Sequence, residues 1–262
     1  MSSTEPVVVT SRDNPLLKEL RKLVQDGAAY RKTGRVWIEG EHLCSAYLQR
    51  GLQPSIRVVL QSKQPIVHID TAQAAIKTIV IPDALMAEIS ALDSLPALGY
   101  VCDLPQDMQF DPQLTTVILD RLQDPGNVGS ILRSAAAFGF TQIIALKGTV
   151  ALWAPKVLRA GMGAHFGLRL IESASLDDVA SLRHPLAVTS SHQGAYLHHM
   201  LSNKELPAQV NWALGHEGQG VCAQLMERAK LHVRIAQPGG QESLNVAVAA
   251  AICLHASASV LL

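Results

Sequence analysis

The chain has 262 residues, 48% of them hydrophobic, and its 22 lysines and arginines balance its 22 acidic residues. A chain of this length and composition can fill a core of its own, which excludes a disordered tail or a linker. Its formal net charge of zero excludes a uniformly positive surface but leaves room for local clusters of cations.

Cysteine spacing and hydropathy predict a cytoplasmic protein with no structural metal and no membrane span. The cysteines at positions 44, 102, 222 and 253 form no C-x-x-C pair and no cluster with ligand spacing. No stretch near the start resembles a signal peptide. The most apolar segment, "VAVAAAICLHASASVLL", contains His255 and two serines and falls short of the roughly 20 residues of a membrane span, so it predicts a buried helix.

The N-terminal part of the sequence predicts a small α/β domain at residues 1–104. "NPLLKELRKLVQDG" has the apolar spacing of a helix, and "GRVWIEG" and "SIRVVL" are typical of strands. "PDALMAEISAL" predicts another helix and "ALGYVCDL" another strand. The polar stretch "PQDMQFDPQ", residues 105–113, lacks periodicity and predicts a linker.

Cations cluster in two stretches of the sequence. Residues 12–35 carry seven cations against three acids, and residues 125–171 contain no Asp or Glu at all. The cations are Arg12, Lys18, Arg21, Lys22, Arg31, Lys32 and Arg35 in the first stretch, and Arg133, Lys147, Lys156, Arg159 and Arg169 in the second. Either stretch could face a polyanion, and the alternative for the first is a solvated helix face.

Residues 114–262 predict a second α/β domain with a mostly parallel sheet. The stretches "TTVILD", "QIIAL", "PLAVTS", "VNWALG" and "LHVRI" are apolar strands that recur between helical segments. Strands without polar alternation are typical of a parallel sheet that is covered on both faces.

The segment "RLQDPGNVGSILRSAAAFG" follows the first of these strands, at the end where open α/β sheets place ligands. Pro125 and Gly126 predict a turn, and Asn127 predicts the N-cap of the helix that follows. Arg133 points nearly opposite to the apolar face of this helix. It is therefore either an ordinary surface arginine or a cation that faces a ligand.

Two later segments carry further polar residues beside glycines. "VNWALGHEGQGV" runs from a strand into a loop that contains Gly215 and Glu217, where glycines allow either close approach to a ligand or a plain tight turn. "LHVRIAQPGGQESLNVAVAAAICLHA" predicts a strand, a loop and a long helix that begins near Ser243. Asn245 then lies in the first turn, where its side chain can cap the helix or contact a ligand.

Together, the three segments resemble the motifs of the SpoU (TrmH-like) branch of the SPOUT superfamily, which are S-adenosylmethionine-dependent RNA 2′-O-ribose methyltransferases. The matching stretches are "DPGNVGSILRSAAAFG", "LGHEGQG" and "IAQPGGQESLNVAVA". Ala236 stands where the family usually has proline, and Ala247 where it often has serine. The resemblance covers residues 114–262. The N-terminal "SRDNPLLKELRKL" and "RVWIEGEHL" look like the small substrate-binding domain of rRNA-modifying members, which is related in shape to a ribosomal-protein RNA-binding fold.

This resemblance implies a fold, a methyl donor and a set of site residues. It implies a deep trefoil knot in the second domain and S-adenosylmethionine as the methyl donor. It also implies that the protein is a homodimer and that it binds RNA, with 23S rRNA as the expected substrate. Gly215, Ile235 and Leu244 would line the donor's adenosine site. The implied catalytic set is Arg133, Asn127, Glu217, Ser243 and Asn245.

Chemistry narrows the role of Arg133 within that set. A guanidinium is in effect always charged, so abstraction of the ribose proton would demand an unusual environment. We expect Arg133 to hold the 3′-phosphate and to orient the ribose hydroxyl, whose developing charge it would stabilise.

Other functions stay open at this point. They are a tRNA 2′-O-methyltransferase, a non-catalytic knotted RNA-binding or assembly factor, and an ordinary nucleotide-binding α/β enzyme. The complete polar motif set argues against the non-catalytic factor. The nucleotide-binding enzyme is disfavoured because the sequence has neither a Rossmann fingerprint nor a P-loop.

Overall fold

The computed structural model describes residues 5–66, 76–105, 108–240 and 243–261. The chain divides into two compact units, one formed by residues 1–106 and 153–166 and the other by residues 107–152 and 167–262. The predicted linker, residues 105–113, spans the first of these boundaries. Its residues 106 and 107 lie outside the described part of the chain.

The first unit is an α/β unit whose elements alternate along the chain. They are β1 (Val7–Val8), α1 (Pro15–Gln25), α2 (Tyr30–Thr33), β2 (Arg35–Glu39), α3 (Glu41–Gln49), β3 (Ile56–Leu60), a 3₁₀ helix (Gln61–Ile66), β4 (Lys77–Ile81), α4 (Asp83–Ile89) and β5 (Leu98–Asp103). The sheet has the order β1-β4-β3-β5-β2 among the described residues. Strands β1, β4 and β3 are parallel, whereas β5 is antiparallel to both of its neighbours.

Most of these elements follow from local sequence signals. Helix α1 begins after Asn14, whose side chain accepts a hydrogen bond from the Leu16 amide at 2.9 Å, and a proline occupies its first turn. Leu17, Leu20 and Leu23 bury one face of the helix. The predicted helices α1 and α4 and strands β2, β3 and β5 are present, while β1, α2, α3 and β4 were not predicted.

The second unit is built on a parallel sheet. Its elements are β6 (Thr116–Asp120), α5 (Pro125–Ala137), β7 (Gln142–Leu146), β8 (Arg169–Ala174), α7 (Leu176–Ala180), β9 (Leu186–Thr189), β10 (Ala195–Tyr196), α8 (Leu197–Ser202), β11 (Asn211–Gly215), α9 (Ala223–Arg228), β12 (Leu231–Arg234) and α10 (Val246–Val260), while α6 (Pro155–Gly161) belongs to the first unit. The predicted strands are confirmed, and β8 and β10 are additional.

The strand order brings the loops of the first two motif segments together. In the described part of the chain the order is β10-β12-β9-β11-β6-β7-β8, and every pairing is parallel, which confirms the predicted mostly parallel sheet. Every residue of β6, β7 and β11 is buried, which explains their unbroken apolar sequences. Strands β6 and β11 are neighbours, so their carboxyl ends lie side by side.

One segment departs from the predicted domain boundaries. We expected residues 114–262 to form one domain, but residues 153–166 group with the first unit. The reason is apolar packing, because Trp153, Pro155 and Leu158 enclose a small space together with Leu23 and Val36 of that unit.

Helix α10 is anchored by a polar contact that the sequence did not suggest. It packs on α5, α8 and β11. Ser257, one of the serines that interrupt the apolar C-terminal segment, is buried and accepts a hydrogen bond from the Trp212 indole nitrogen at 2.9 Å. No helix among the described residues combines the length and the apolar character that a membrane crossing requires.

Candidate functional site

Helix α5 begins earlier than predicted, and this changes the role of Asn127. Asp124 is the N-cap, and its Oδ1 accepts a hydrogen bond from the Asn127 amide at 2.7 Å. Pro125 occupies the first helical position, which its fixed φ suits. The prediction that Asn127 caps the helix is therefore wrong. Its side chain contacts residues of the other two motif segments instead.

Glu217 joins the loop after β11 to the start of α5. Its Oε1 accepts hydrogen bonds from the Asn127 side-chain amide at 3.2 Å and from the Asp124 backbone amide at 3.1 Å. Its Oε2 accepts from the Gln123 amide at 3.3 Å. These contacts form because the ends of β6 and β11 pair at Asp120 and Gly215. Glu217 is thus an exposed carboxylate that anchors its loop to the start of α5.

Asn245 both caps a helix and contacts another motif residue. Its Oδ1 accepts hydrogen bonds from the amides of Ala247 and Val248 at 2.9 and 3.3 Å. Its Nδ2 donates to Asn127 Oδ1 at 2.9 Å. Helix α10 therefore begins just after Asn245, not near Ser243 as predicted. The capping role that the sequence offered is confirmed, and contact with a ligand stays a prediction.

The hydrogen bonds around Glu217 favour its charged form. Burial by itself would raise the pKa of this carboxyl. Its own backbone amide, the amides of Asp124 and Gln123 and the Asn127 side chain outweigh that effect and hold the pKa below its ordinary value. Glu217 is consequently an acceptor at neutral pH, as its contacts with N–H groups require.

Gly215 is needed for the packing of its own loop. A Cβ atom at this position would lie 2.1 Å from both the Gly220 carbonyl carbon and the Val221 nitrogen. The loop closes further through the Gly220 amide, which donates to the His216 carbonyl at 2.8 Å. The sequence left open whether this glycine serves a ligand or a tight turn, and the turn is what the structure demonstrates.

Arg133 lies on the outer face of α5. It is exposed, while Val128, Ile131 and Leu132 of the same helix are completely buried, so the predicted amphipathic helix is confirmed. No ion pair or hydrogen bond of the Arg133 side chain is found within the described part of the chain. Its guanidinium remains available for a ligand.

The remaining predicted site residues stand apart from this hydrogen-bonded network. Ser243 and Leu244 are exposed just before Asn245, and Ile235 is half-buried just after β12. Residues 241 and 242 of the third motif lie outside the described residues. The network thus unites Asn127, Glu217 and Asn245 from three separate segments, as their motif positions predict.

Two functional candidates escaped the sequence interpretation. Asp120, only 1% exposed, ends β6, and Arg121 follows it with a bidentate ion pair whose Nε–Oδ1 and Nη2–Oδ2 distances are 2.8 and 3.2 Å. The available signal was an acid at the end of an otherwise apolar strand, directly followed by a cation. Such a buried carboxylate needs a partner.

The N-terminal cations are mostly paired within the first unit. Glu88 pairs with both Arg12 and Arg21, at 3.0 and 2.7 Å. The other pairs are Lys18–Asp13 at 2.9 Å, Arg35–Glu19 at 3.4 Å and Arg35–Asp103 at 3.2 Å. The predicted RNA-facing surface therefore carries less unpaired positive charge than its composition indicates.

Comparisons with known proteins agree with the motifs. The 23S rRNA (guanosine(2553)-2′-O)-methyltransferase RlmP of Bacillus subtilis (strain 168) is 28% identical over 250 residues, which are 94% of this chain and 97% of that protein. The structure is similar to that of an AdoMet-bound rRNA methyltransferase from Sinorhizobium meliloti, with a TM-score of 0.83 and 25% identity over 99% of this chain and 100% of that one.

A solved RNA 2′-O ribose methyltransferase is similar as well, with a TM-score of 0.76 and 28% identity over 98% of this chain and 100% of that chain. Residues 114–255, more than half of the chain, match the SpoU rRNA Methylase family. The match contains Asn127, Arg133, Glu217 and Asn245 in the positions described above. The chain therefore belongs to the SpoU rRNA methylase family, and it is an RNA methyltransferase that uses S-adenosylmethionine.

Proposed function

We propose that this enzyme methylates a ribose 2′-hydroxyl of 23S rRNA and that Arg133, Asn127, Glu217, Ser243 and Asn245 form its catalytic site. The supporting observation is the hydrogen-bonded network Glu217–Asn127–Asn245, which joins all three motif segments beside a helix that carries an exposed Arg133. The Bacillus subtilis relative, which is named for the same RNA and the same ribose oxygen, supports the choice of substrate.

The loops after β11 and β12 offer the features that the methyl donor needs. When bound, S-adenosylmethionine supplies an activated methyl group on a sulfonium sulfur. Leu244, which is 37% exposed, and the half-buried Ile235 offer apolar surface for the adenine ring. Gln237 Oε1 is buried without a hydrogen-bond partner within the described part of the chain, so it can accept from an amino group of the donor. Gly215 would contribute by shaping its loop.

The site residues have separate roles in binding and orienting the RNA. Arg133 grips the phosphate on the 3′ side of the target ribose and stabilises the negative charge that develops on the 2′-oxygen. Asn127 and Glu217 hold the start of α5, and Asn245 ties that helix to α10. The proton of the hydroxyl leaves to the phosphate or to water, since neither a guanidinium nor an asparagine accepts it.

The outer face of α5 and α10 supports a dimer. A groove of about 660 Å³ is lined by residues of both helices, among them Ser130, Ala251 and His255. Two apolar residues of the groove, Val248 and Ile252, are 48% and 38% exposed. A second copy of the chain would cover this apolar surface. Val248→Asp is expected to give monomers in light scattering, and dimers of unchanged mass would contradict the assignment.

The trefoil knot, the N-terminal RNA-binding domain and the cytoplasmic location belong to the same proposal. The knot is supported by the path of the C-terminal chain, because β12 lies beyond β9 whereas α10 returns to pack on α5 and β11. The first unit combines a sheet of parallel and antiparallel strands with helix α1, which carries Lys18, Arg21 and Lys22. This composition supports an RNA-binding role. All four cysteines are free, which supports a reducing compartment.

The experiment is methyl transfer to defined RNAs. Purified protein is incubated with radiolabelled S-adenosylmethionine and either a 23S rRNA transcript or total tRNA, and 2′-O-methylation is located by mass spectrometry. We expect labelled ribose in the 23S rRNA alone. Label in tRNA would favour the alternative substrate, and donor binding without transfer to either RNA would favour a non-catalytic factor.

A further inference from the structure

Arg121 holds an uncommon backbone conformation at the carboxyl end of β6. Its φ is +60°, in the left-handed region that residues other than glycine seldom occupy. The conformation is supported locally, because the Arg121 amide donates to Thr149 Oγ1 at 3.1 Å and that hydroxyl donates to the Leu119 carbonyl at 2.9 Å. The chain therefore turns sharply between the strand and the first motif.

The Arg121 guanidinium links this turn to the loop at residues 216–222. Beyond its ion pair with Asp120, its Nη1 donates to Gln219 Oε1 at 3.0 Å and its Nη2 to the Gly220 carbonyl at 3.5 Å. Asp120 Oδ2 also accepts from the Cys222 amide at 2.7 Å. One buried carboxylate and one guanidinium thus contact three residues of the same loop.

These contacts lie on a different part of the loop from those of Glu217. Glu217 attaches the first half of the loop to the start of α5, whereas Asp120 and Arg121 attach residues 219–222 to the end of β6. Gly215 lets the two halves close tightly. The loop is therefore held in both its first and its second half. Among the described residues, Arg121 is the only arginine whose guanidinium donates hydrogen bonds to the second half of the loop.

We propose that Arg121 is a positioning residue for the methyl donor, because it fixes the loop at residues 216–222 in the shape that receives S-adenosylmethionine. This inference rests on the proposed donor site around Gly215. A loop that is ordered before binding lowers the entropic cost of binding, so loss of the fork weakens donor affinity. Arg121 differs here from Arg133, whose exposed guanidinium is assigned to RNA.

The test measures donor binding separately from methyl transfer. Isothermal titration with S-adenosylmethionine is carried out on the full chain carrying Arg121→Gly, Arg121→Lys or Gln219→Ala. Glycine removes the fork without the penalty of a left-handed φ, lysine keeps the charge opposite Asp120, and Gln219→Ala leaves the Asp120 ion pair intact. Arg228→Ala is the matched control, because Arg228, at the end of α9, pairs at 3.6 Å with the exposed Asp177, which is not part of this loop.

We expect Kd for the donor to rise about tenfold in Arg121→Gly, somewhat less in Arg121→Lys and a few-fold in Gln219→Ala, with no change in Arg228→Ala. The KM for the donor should rise in parallel, while kcat at saturating donor and the Kd for 23S rRNA stay within about twofold. A merely structural defect would lower kcat and RNA binding as well.

Unchanged donor affinity in both Arg121→Gly and Gln219→Ala would overturn the inference. A selective loss of RNA affinity would also overturn it and would assign Arg121 to the RNA. A wild-type protein that binds no S-adenosylmethionine would instead refute the proposed donor site, so the two failures are distinguishable.

Discussion

The basic segment at residues 12–35 and helix α5 differ in whether their arginines are paired with acidic side chains. In the first unit, Glu88 alone engages two of the arginines that made the segment look like an RNA-binding surface. In the second unit, α5 carries a single arginine, and Arg133 has no partner among the described residues. The absence of acids around a cation therefore says more about its availability than the number of cations does.

The same contrast separates Arg121 from Arg133, which lie in one motif segment. Arg121 adjoins a buried carboxylate that needs a counter-charge, so its guanidinium is occupied. Arg133 lies on a helix that contains no acid, within residues 125–171. Composition over the whole chain, which is neutral, conceals this difference.

The largest effect is expected at the unpaired arginine. Arg133→Lys keeps the charge but removes the fork that grips a phosphate and steadies an oxyanion, so methyl transfer should fall about 100-fold or more. Donor affinity, measured by titration, should remain unchanged. Arg183→Lys, an exposed arginine before β9, is the matched control and should keep full activity. Near-normal turnover in Arg133→Lys would show that Arg133 does not hold the phosphate of the substrate.

An intermediate effect is expected where the network positions α5. Glu217→Gln replaces an acceptor of three N–H groups by an amide that can satisfy only part of them. Methyl transfer should fall about tenfold. Glu205→Gln, an exposed glutamate in the same unit, serves as the control. If Glu217→Gln proves as active as the control, the network does not position Arg133.

A smaller effect of opposite sign is expected in the first unit. Glu88→Gln removes the carboxylate that pairs with Arg12 and Arg21. Both guanidinium groups should then be available to RNA phosphates, as that of Arg133 is. Non-specific RNA binding should strengthen about two- to threefold and its salt dependence should steepen. Fluorescence anisotropy over a salt series measures both quantities. Weaker RNA binding in this variant would contradict this expectation and would show that the Glu88 ion pairs hold Arg12 and Arg21 in position for RNA.

The smallest effect concerns pH. The pKa of Glu217 is lowered from its ordinary value of 4.5, so its contribution to stability is complete above that value and is lost as pH falls through the lower folded-state value. The difference in Tm between the wild type and Glu217→Gln should therefore be largest near neutral pH and shrink as the pH falls below the ordinary value of this carboxyl. A difference that grows on acidification would contradict the direction of the shift.

Local signals predicted much of this fold. The apolar strands without polar alternation predicted the parallel sheet, and the spacing of Leu17, Leu20 and Leu23 predicted α1. Helix starts were less predictable, because Asn127 and Asn245 are both good N-caps by type but only Asn245 serves as one. At α5, Asp124 directly precedes a proline and takes the cap, which leaves the Asn127 side chain to contact Glu217.

The sequence by itself determined the motif residues, the family resemblance that they carry and the outward position of Arg133, because these depend on residue type and on helical periodicity. Only the tertiary structure decided which charges are occupied. Strand order brings the ends of β6 and β11 together, and this places Arg121 against the loop at residues 216–222. The Asp120–Arg121 ion pair joins neighbours in the sequence, but the contacts of Arg121 with Gln219 and Gly220 join residues far apart in the chain, so no local pattern predicted that Arg121 holds this loop.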